Sequence, residues 1–354
     1  MKRSIAIISL LICTSGFISS CGGGSSGSLN PPVPPSDALS NWHWRNPLPQ
    51  GNPLRAAAYG NGTFVVVGSG GTIVMSADSI NWTATTSGTP VDLTGVTYGN
   101  GTFVAVGDSG TILTSADGIT WTSRTSGFTN DLSGVTYGNG TFVAVGDSGT
   151  ILTSSDGITW TSRTSGTTDS LFGVAYGNGT FVAVGDSGTI LTSSDGITWI
   201  SRTSGTTDFL QGVTYGNGTF VAVGSSGVGA ILTSSDGISW MSRTSGTAYM
   251  LTGVTYGNGT FVAVGLWGTI VTSNDSINWT SGSSGTNITL YGAAYGNGSF
   301  VAVGESGTIL TSTGGAAWTA RTAGTGQWLH GVTYGSGTFI TVGRGGTILQ
   351  TNHV

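Results

Sequence analysis

The chain has 354 residues, a mass of 35.5 kDa and a formal net charge of −5, with 63 glycines and only 7% charged residues against a usual ~25%. Apolar residues make up 37% and eleven positions are tryptophan, the reverse of the polar, aromatic-poor bias of disordered chains. There is no Gly-X-Y period, so collagen is excluded along with disorder. At roughly 150 residues per domain the length suits two domains, although an all-β propeller of this length is one unit.

The chain opens on Lys2-Arg3, followed by the apolar run 5–12 and then small and polar residues. A stretch this short cannot span a bilayer at about 1.5 Å per residue, and its flanks read as an export signal. It ends in Ile18-Ser19-Ser20-Cys21, an aliphatic residue, two small residues and a cysteine. That tetrad resembles the bacterial lipoprotein signal, which implies cleavage before Cys21 and acylation of its thiol and new amino terminus. More than one acyl chain is what stable anchoring takes. Gly22 stands where, by the same resemblance, an aspartate would favour inner-membrane retention, so the outer membrane is the implied destination. Residues 1–20 are therefore expected to be signal peptide, 21–35 the lipidated cysteine with a Gly/Ser/Pro-rich tether, and 36–354 the folded domain.

Cleavage removes Lys2 and Arg3 and leaves eight arginines, no lysine and 15 acidic residues, a balance of −7. Nucleic acid and anionic lipid both need clustered positive charge, so neither is expected as a partner, and membrane contact is expected through the anchor alone. Cys13 and Cys21 both precede the folded region, which excludes disulfides, thiolate metal sites and a cysteine nucleophile there. His43, His330 and His353 are scattered without metal-ligand spacing, so no metal and no cofactor is expected.

From residue 50 onward the chain repeats itself. Tyr-Gly-Asn-Gly or a close variant begins at Tyr59, Tyr98, Tyr137, Tyr176, Tyr215, Tyr256, Tyr295 and Tyr334, at intervals of 39 residues with one of 41. Each unit reads as four strands. Strand a runs from a leucine to the tyrosine, as from Leu93 to Tyr98. Asn100-Gly101 then favours a type I′ hairpin, because both central residues need φ > 0. Strand b, Thr-Phe-Val-Ala-Val-Gly, is apolar on both faces and so buried on both. A Gly-Asp-Ser-Gly turn leads to strand c, and an Asp-Gly turn to strand d, Ile-Thr-Trp-Thr-Ser-Arg. Nothing has helical periodicity.

Units of about 40 residues with central strands apolar on both faces fit a β-propeller. The array predicts a single all-β propeller of eight four-stranded blades, closed by its own N-terminus. The last unit stops after strand c, and the missing strand d is supplied from the other end, where Asn41-Trp42 repeats Asn81-Trp82 and Arg45 follows Trp42 as Arg124 follows Trp121.

The turn before strand d, Ser115 to Trp121, and its equivalents ending at Trp82, Trp160, Trp199, Trp240 and Trp279 resemble the Asp-box of sialidase-type (BNR) repeats, one residue short; the copy ending at Trp318 has Gly314 for the aspartate. The whole array resembles the photosystem II assembly and stability factors and their non-photosynthetic bacterial relatives. The resemblance implies that the Asp caps a turn, that the Trp packs between blades, and that the protein is an assembly scaffold. No residue points to a photosynthetic partner.

An enzyme is not expected and no catalytic residue is assigned. Six arginines, Arg45, Arg124, Arg163, Arg202, Arg243 and Arg321, occupy one repeated position, which reads as scaffold and not as a sialidase triad; only Arg55 and Arg344 lie elsewhere. The lone glutamate is Glu305, where glycosidases usually need two flanking carboxylates. Binding is better founded, on positions where near-identical repeats differ. The b–c turns carry Asp108, Asp147, Asp186 and Glu305, but Leu266-Trp267 in the sixth unit, and the fifth has a two-residue insertion there. Beside the strand-a leucine stand Asp92 and Asp131 early, then Phe172, Phe209, Met250, Tyr291, Trp328 and His330. These positions share one face of a propeller, so the sequence predicts an acidic sector and an aromatic sector on it. The expected function is a non-enzymatic, lipid-anchored, monomeric propeller that binds an envelope protein. A carbohydrate-binding surface module that takes a cell-surface glycan is the alternative, and an Asp-box glycoside hydrolase is the third reading.

Overall fold

The computed structural model describes residues 39–45, 50–225 and 229–352. Cys21, the tether, Ser36, most of the fifth-unit insertion and His353 lie outside those residues. Eight antiparallel four-stranded sheets form a closed ring, with no α-helix among the described residues. The eight-bladed propeller expected from the repeat is what is found.

In the first seven blades the chain runs from the innermost strand outward. Blade 2 is typical, with strand a at Leu93–Gly99, b at Thr102–Gly107, c at Thr111–Ser115 and d at Thr122–Arg124. Asn100 and Gly101 have φ of 48° and 75°, the signature of the type I′ hairpin. The b–c connection is a single 3₁₀ turn, Asp108–Gly110. Strand d starts only after Trp121, later than the sequence suggested. The reason is local: Asp117 Oδ1 accepts the amides of Ile119 and Thr120, each at 2.8 Å, and holds them in the turn instead of the ladder.

The last sheet contains Leu329–Gly335, Thr338–Gly343 and Ile348–Thr351 and is completed by Trp42–Trp44, with Trp42 opposite Thr351. Arg45 donates through Nε to Gln350, just as Arg124 donates to Thr114 at 2.8 Å and Arg163 to Thr153 at 2.7 Å. The repeated arginine therefore ties strand d to strand c. Such closure leaves no long sheet edge exposed.

The core is a set of slabs between blades. One slab joins Val65, Val67 and Ile73 of the first blade to Leu93, Phe103 and Leu113 of the second. The slab that closes the ring joins Leu54 and Phe64 to Ile340 and Val342. Each seam also has a glycine joint. The Tyr137 ring lies flat on Gly99 of the preceding blade, so a Cβ there would sit 2.1 Å from its Cγ; Gly335 and Tyr59 repeat this contact at the closing seam. Only glycine lets the tyrosine approach so closely.

Candidate binding mouth

The hairpins and the Asp-turns share one face of the ring: Gly118 of one Asp-turn lies against Thr63 and Val65 of the preceding blade, just beyond its Asn-Gly hairpin. There the aspartates serve the scaffold. Asp117 also accepts from Ser115 Oγ at 2.9 Å, and Trp121 Nε1 donates to Gly118 O at 3.0 Å. These amide donors hold the aspartate carboxyls below their ordinary range. Asp195 is lowered to about 2, chiefly by the amides of Thr198 and Ile197. Asp78 is lowered to about 2, chiefly by the Asn81 amide. The seventh blade keeps the tryptophan bond, Trp318 Nε1 to Gly315 O at 2.6 Å, without the carboxylate.

The opposite face is the mouth, where the 3₁₀ turns meet the starts of the innermost strands. The turn of one blade leans on the next: Ser109 N donates to Asp131 Oδ1 at 2.8 Å, and Gly70 N donates to Asp92 Oδ1 at 2.9 Å. Asp92 and Asp131 are thus turn caps as well as surface charges. Asp92 also receives the Arg55 guanidinium at 2.6 Å and Ser69 Oγ at 3.1 Å. Partial burial works against its ionisation, but Gly70, Arg55 and Ser69 outweigh it, and the carboxyl is held low. Asp108 shows the opposite shift. Its partial burial raises it first, and the charges of Asp131, Asp92 and Asp147 add to that against Arg55 alone.

The structure draws the sequence-predicted aromatics into groups. Tyr291 has its ring 5.9 Å from Trp328 and 5.4 Å from His330, and its hydroxyl donates to Glu305 Oε1 at 2.7 Å. Burial, then this bond and the Glu305 charge, push the phenol up. Trp328 is half-buried beneath Arg344, whose Cζ stands 3.6 Å from the indole centroid. His330 is lowered to about 4 by burial and then by Arg344 and Arg55, so it is neutral at pH 7. Two blades away from this group, the Phe172 and Phe209 rings are 4.6 Å apart, and Met250 is half-buried in the next blade.

Trp267 stands apart. It occupies the central position of its 3₁₀ turn at φ 56°, ψ 37°, where Ser109, Ser148, Ser187 and Ser306 or Gly70 and Gly345 stand in other blades. It is 60% exposed, and the Tyr249 ring, 46% exposed, lies 6.2 Å away. A bulky side chain in the left-handed region is uncommon, and here no burial compensates for it.

Sequence reasoning missed Arg55, Arg344, Tyr249 and Gln211 as mouth residues. The first two were visible as the arginines outside the repeated position, but nothing local said that they meet Asp92 and Trp328. Open grooves also lie between the d–a loops, of about 650 Å³ beside Asn130 and Arg163 and about 470 Å³ beside Asp208 and Arg243. The same Ser-Gly-Thr loop builds them in blade after blade, so they belong to the scaffold.

No family model matches the chain, and no curated protein matches it in sequence. Solved structures match it in fold. YCF48 from Cyanidioschyzon merolae aligns with a TM-score of 0.57 at 18% identity over 73% of this chain and 95% of that one. YCF48 bound to D1 peptide aligns with a TM-score of 0.60 at 16% identity over 88% and 94%. Virginiamycin B lyase from Staphylococcus aureus aligns with a TM-score of 0.62 at 15% identity over 73% and 94%. At such identities the likeness is one of fold, shared here by a peptide-binding propeller and an enzyme.

Proposed function

We propose that this protein is a non-enzymatic scaffold of the bacterial cell envelope, held to the outer membrane by lipid on Cys21, and that it binds a protein partner across the mouth. The observation that carries the reading is Trp267: an indole 60% exposed on a backbone conformation that other blades reserve for serine or glycine. A costly conformation kept without packing benefit is a mark of function. Tyr249 lies beside it, and half-buried Met250, Phe209, Phe172, Tyr291 and Trp328 spread apolar groups over blades 4–8 of the same face, a wider distribution than one sugar ring calls for. That a propeller of this fold, YCF48, is found bound to a peptide agrees with the reading. The carboxylates of the mouth are already engaged in the scaffold at Asp92, Asp131 and Glu305, which argues for recognition over hydrolysis.

Trp42 pairs with Thr351 at the Asp-turn end of strand c, so the chain enters the propeller on the face opposite the mouth.

Two measurements test the proposal. Mass analysis of the N-terminal fragment should find Cys21 acylated, and Cys21→Ser should move the protein to the soluble fraction. The chain should capture a specific envelope protein that the Trp267→Ala/Trp328→Ala variant, folded by circular dichroism, does not. Capture of a cell-wall glycan instead would establish the carbohydrate-binding alternative, and equal capture by both forms would place the site elsewhere.

A further inference from the structure

The mouth is unevenly charged. Its turns and strand starts carry Asp92, Asp108, Asp131, Asp147, Asp186 and Glu305 against Arg55 and Arg344. Both guanidiniums are already in use: Arg55 is paired with Asp92, and Arg344 lies flat on Trp328. Glu305 is engaged by the Tyr291 hydroxyl. What remains for a ligand is therefore mainly acceptor and negative, concentrated at Asp108 and Asp147 on consecutive blades. Among the described residues no salt bridge holds Asp108, and three neighbouring carboxylates repel its charge.

A second observation points the same way from another blade. Gln211, the residue after the strand-a leucine in blade 5, is only 3% exposed, yet its side-chain oxygen has no hydrogen-bond donor. A buried acceptor left without a partner costs on the order of 1–3 kcal/mol, so it marks a place where a donor is wanted. Gln211 lies two positions after Phe209 in the same strand, and the Phe209 ring pairs with Phe172, so this acceptor sits within the apolar arc. The face thus presents carboxylates on one arc and, on the other, aromatic rings with a buried acceptor among them.

Resting on the protein-binding reading above, we propose that the mouth recognises a cationic, apolar polypeptide segment, with lysine or arginine side chains over Asp108 and Asp147 and aromatic or aliphatic side chains against Tyr249 and Trp267. An acidic segment would meet the repulsion that already raises Asp108, and a neutral one would leave that arc unused. Trp267 is the anchor, because it offers the largest exposed apolar surface on the rim and is fixed at the backbone level. Asp92 and Asp131 act in the background, since each also caps a turn.

The test uses the intact chain and three synthetic peptides of equal length that alternate Leu and Trp with Lys, with Glu or with Ser, read by fluorescence anisotropy. The Lys peptide should bind, weakening as salt is raised through the range where the Debye length falls below about 10 Å. Asp108→Asn/Asp147→Asn should weaken it about tenfold at low salt, and Trp267→Gly about thirtyfold at any salt. Both variants are conservative for the fold, since glycine already stands at the Trp267 position in two other blades and asparagine relieves a repulsion. Equal or tighter binding of the Glu peptide, salt-independent binding of the Lys peptide, or no binding of any peptide overturns the proposal. In each of those cases the wider reading is judged separately, by whether the Trp267→Ala/Trp328→Ala variant still captures the envelope protein.

Discussion

Asp117 and Asp108, on opposite faces of the ring, put the same residue type in opposite surroundings. On the hairpin face, Asp117 and its equivalents sit in turns whose amides point at the carboxylate, and their pKa values fall. On the mouth face, Asp108 sits among other carboxylates without an amide cradle, and its pKa rises. The first arrangement stabilises the ionised side chain and the fold together. The second sets the charge against the fold, which is expected of a surface kept for a partner. The faces also differ in repetition: the turns, tyrosine joints and Arg–Thr bonds recur blade after blade, whereas the mouth keeps one turn over blades 2–4 and varies in the others.

Substitutions can break or sharpen this contrast. The largest effect is expected in the repeated part. Gly99→Ala drives a Cβ to 2.1 Å from the Tyr137 ring and should cost about 3 kcal/mol or more in denaturant unfolding. Gly101→Ala, with no atom within 4 Å but φ of 75°, should cost only about 1 kcal/mol, so the pair separates close approach from backbone strain.

Next comes the turn cap. Asp117→Ala should destabilise by about 1 kcal/mol at pH 7. The pH dependence has a definite sign. A carboxyl lowered in the folded state contributes stability that is present above its unfolded pKa of roughly 4 and is lost as pH falls through the folded value. For Asp78 and Asp195 the folded value is about 2, so acid unfolding curves should steepen between those limits. The difference between parent and Asp117→Ala should shrink over the acid range, and a constant difference would remove the electrostatic part of the account.

Effects of the other sign are expected in the mouth. Trp267→Gly should raise thermal stability, by about 1 kcal/mol, because it relieves a left-handed tryptophan that packs little. A loss of stability would mean that the indole is structural. Smallest of all, Asp108→Asn should stabilise slightly at pH 7, within the ~1 kcal/mol or less of solvent-screened charges, with the gain lost as pH falls through the raised pKa and the parent carboxyl is neutralised.

Much of the fold is legible in a single unit. Asn100-Gly101 specifies its hairpin, Phe103 to Val106 its doubly buried strand, and Ser115 to Trp121 its turn, because each depends on contacts a few residues away. Ring closure was legible too, since Trp42 and Arg45 repeat the spacing of an outer strand that the last unit lacks. Even the division of mouth and turn residues between two faces follows from alternating strand direction.

The chemistry of the mouth was not legible in this way. Arg55 meets Asp92 across the seam between the first two blades, 37 residues apart, and His330 is depressed by burial and Arg344 and then by Arg55 from the other end of the chain, the last a relation that exists only because the eighth blade lies against the first. Nothing in the Gly-Leu-Trp-Gly string shows that Trp267 is exposed, since an indole there could as well have packed into a seam. The sequence by itself determined the blade, its number and its closure, because these rest on local periodicity repeated eight times. Tertiary structure alone decided which off-repeat side chains become neighbours and which mouth carboxylates are repelled by others, because burial and charge proximity between blades are properties of the closed ring and of no single unit.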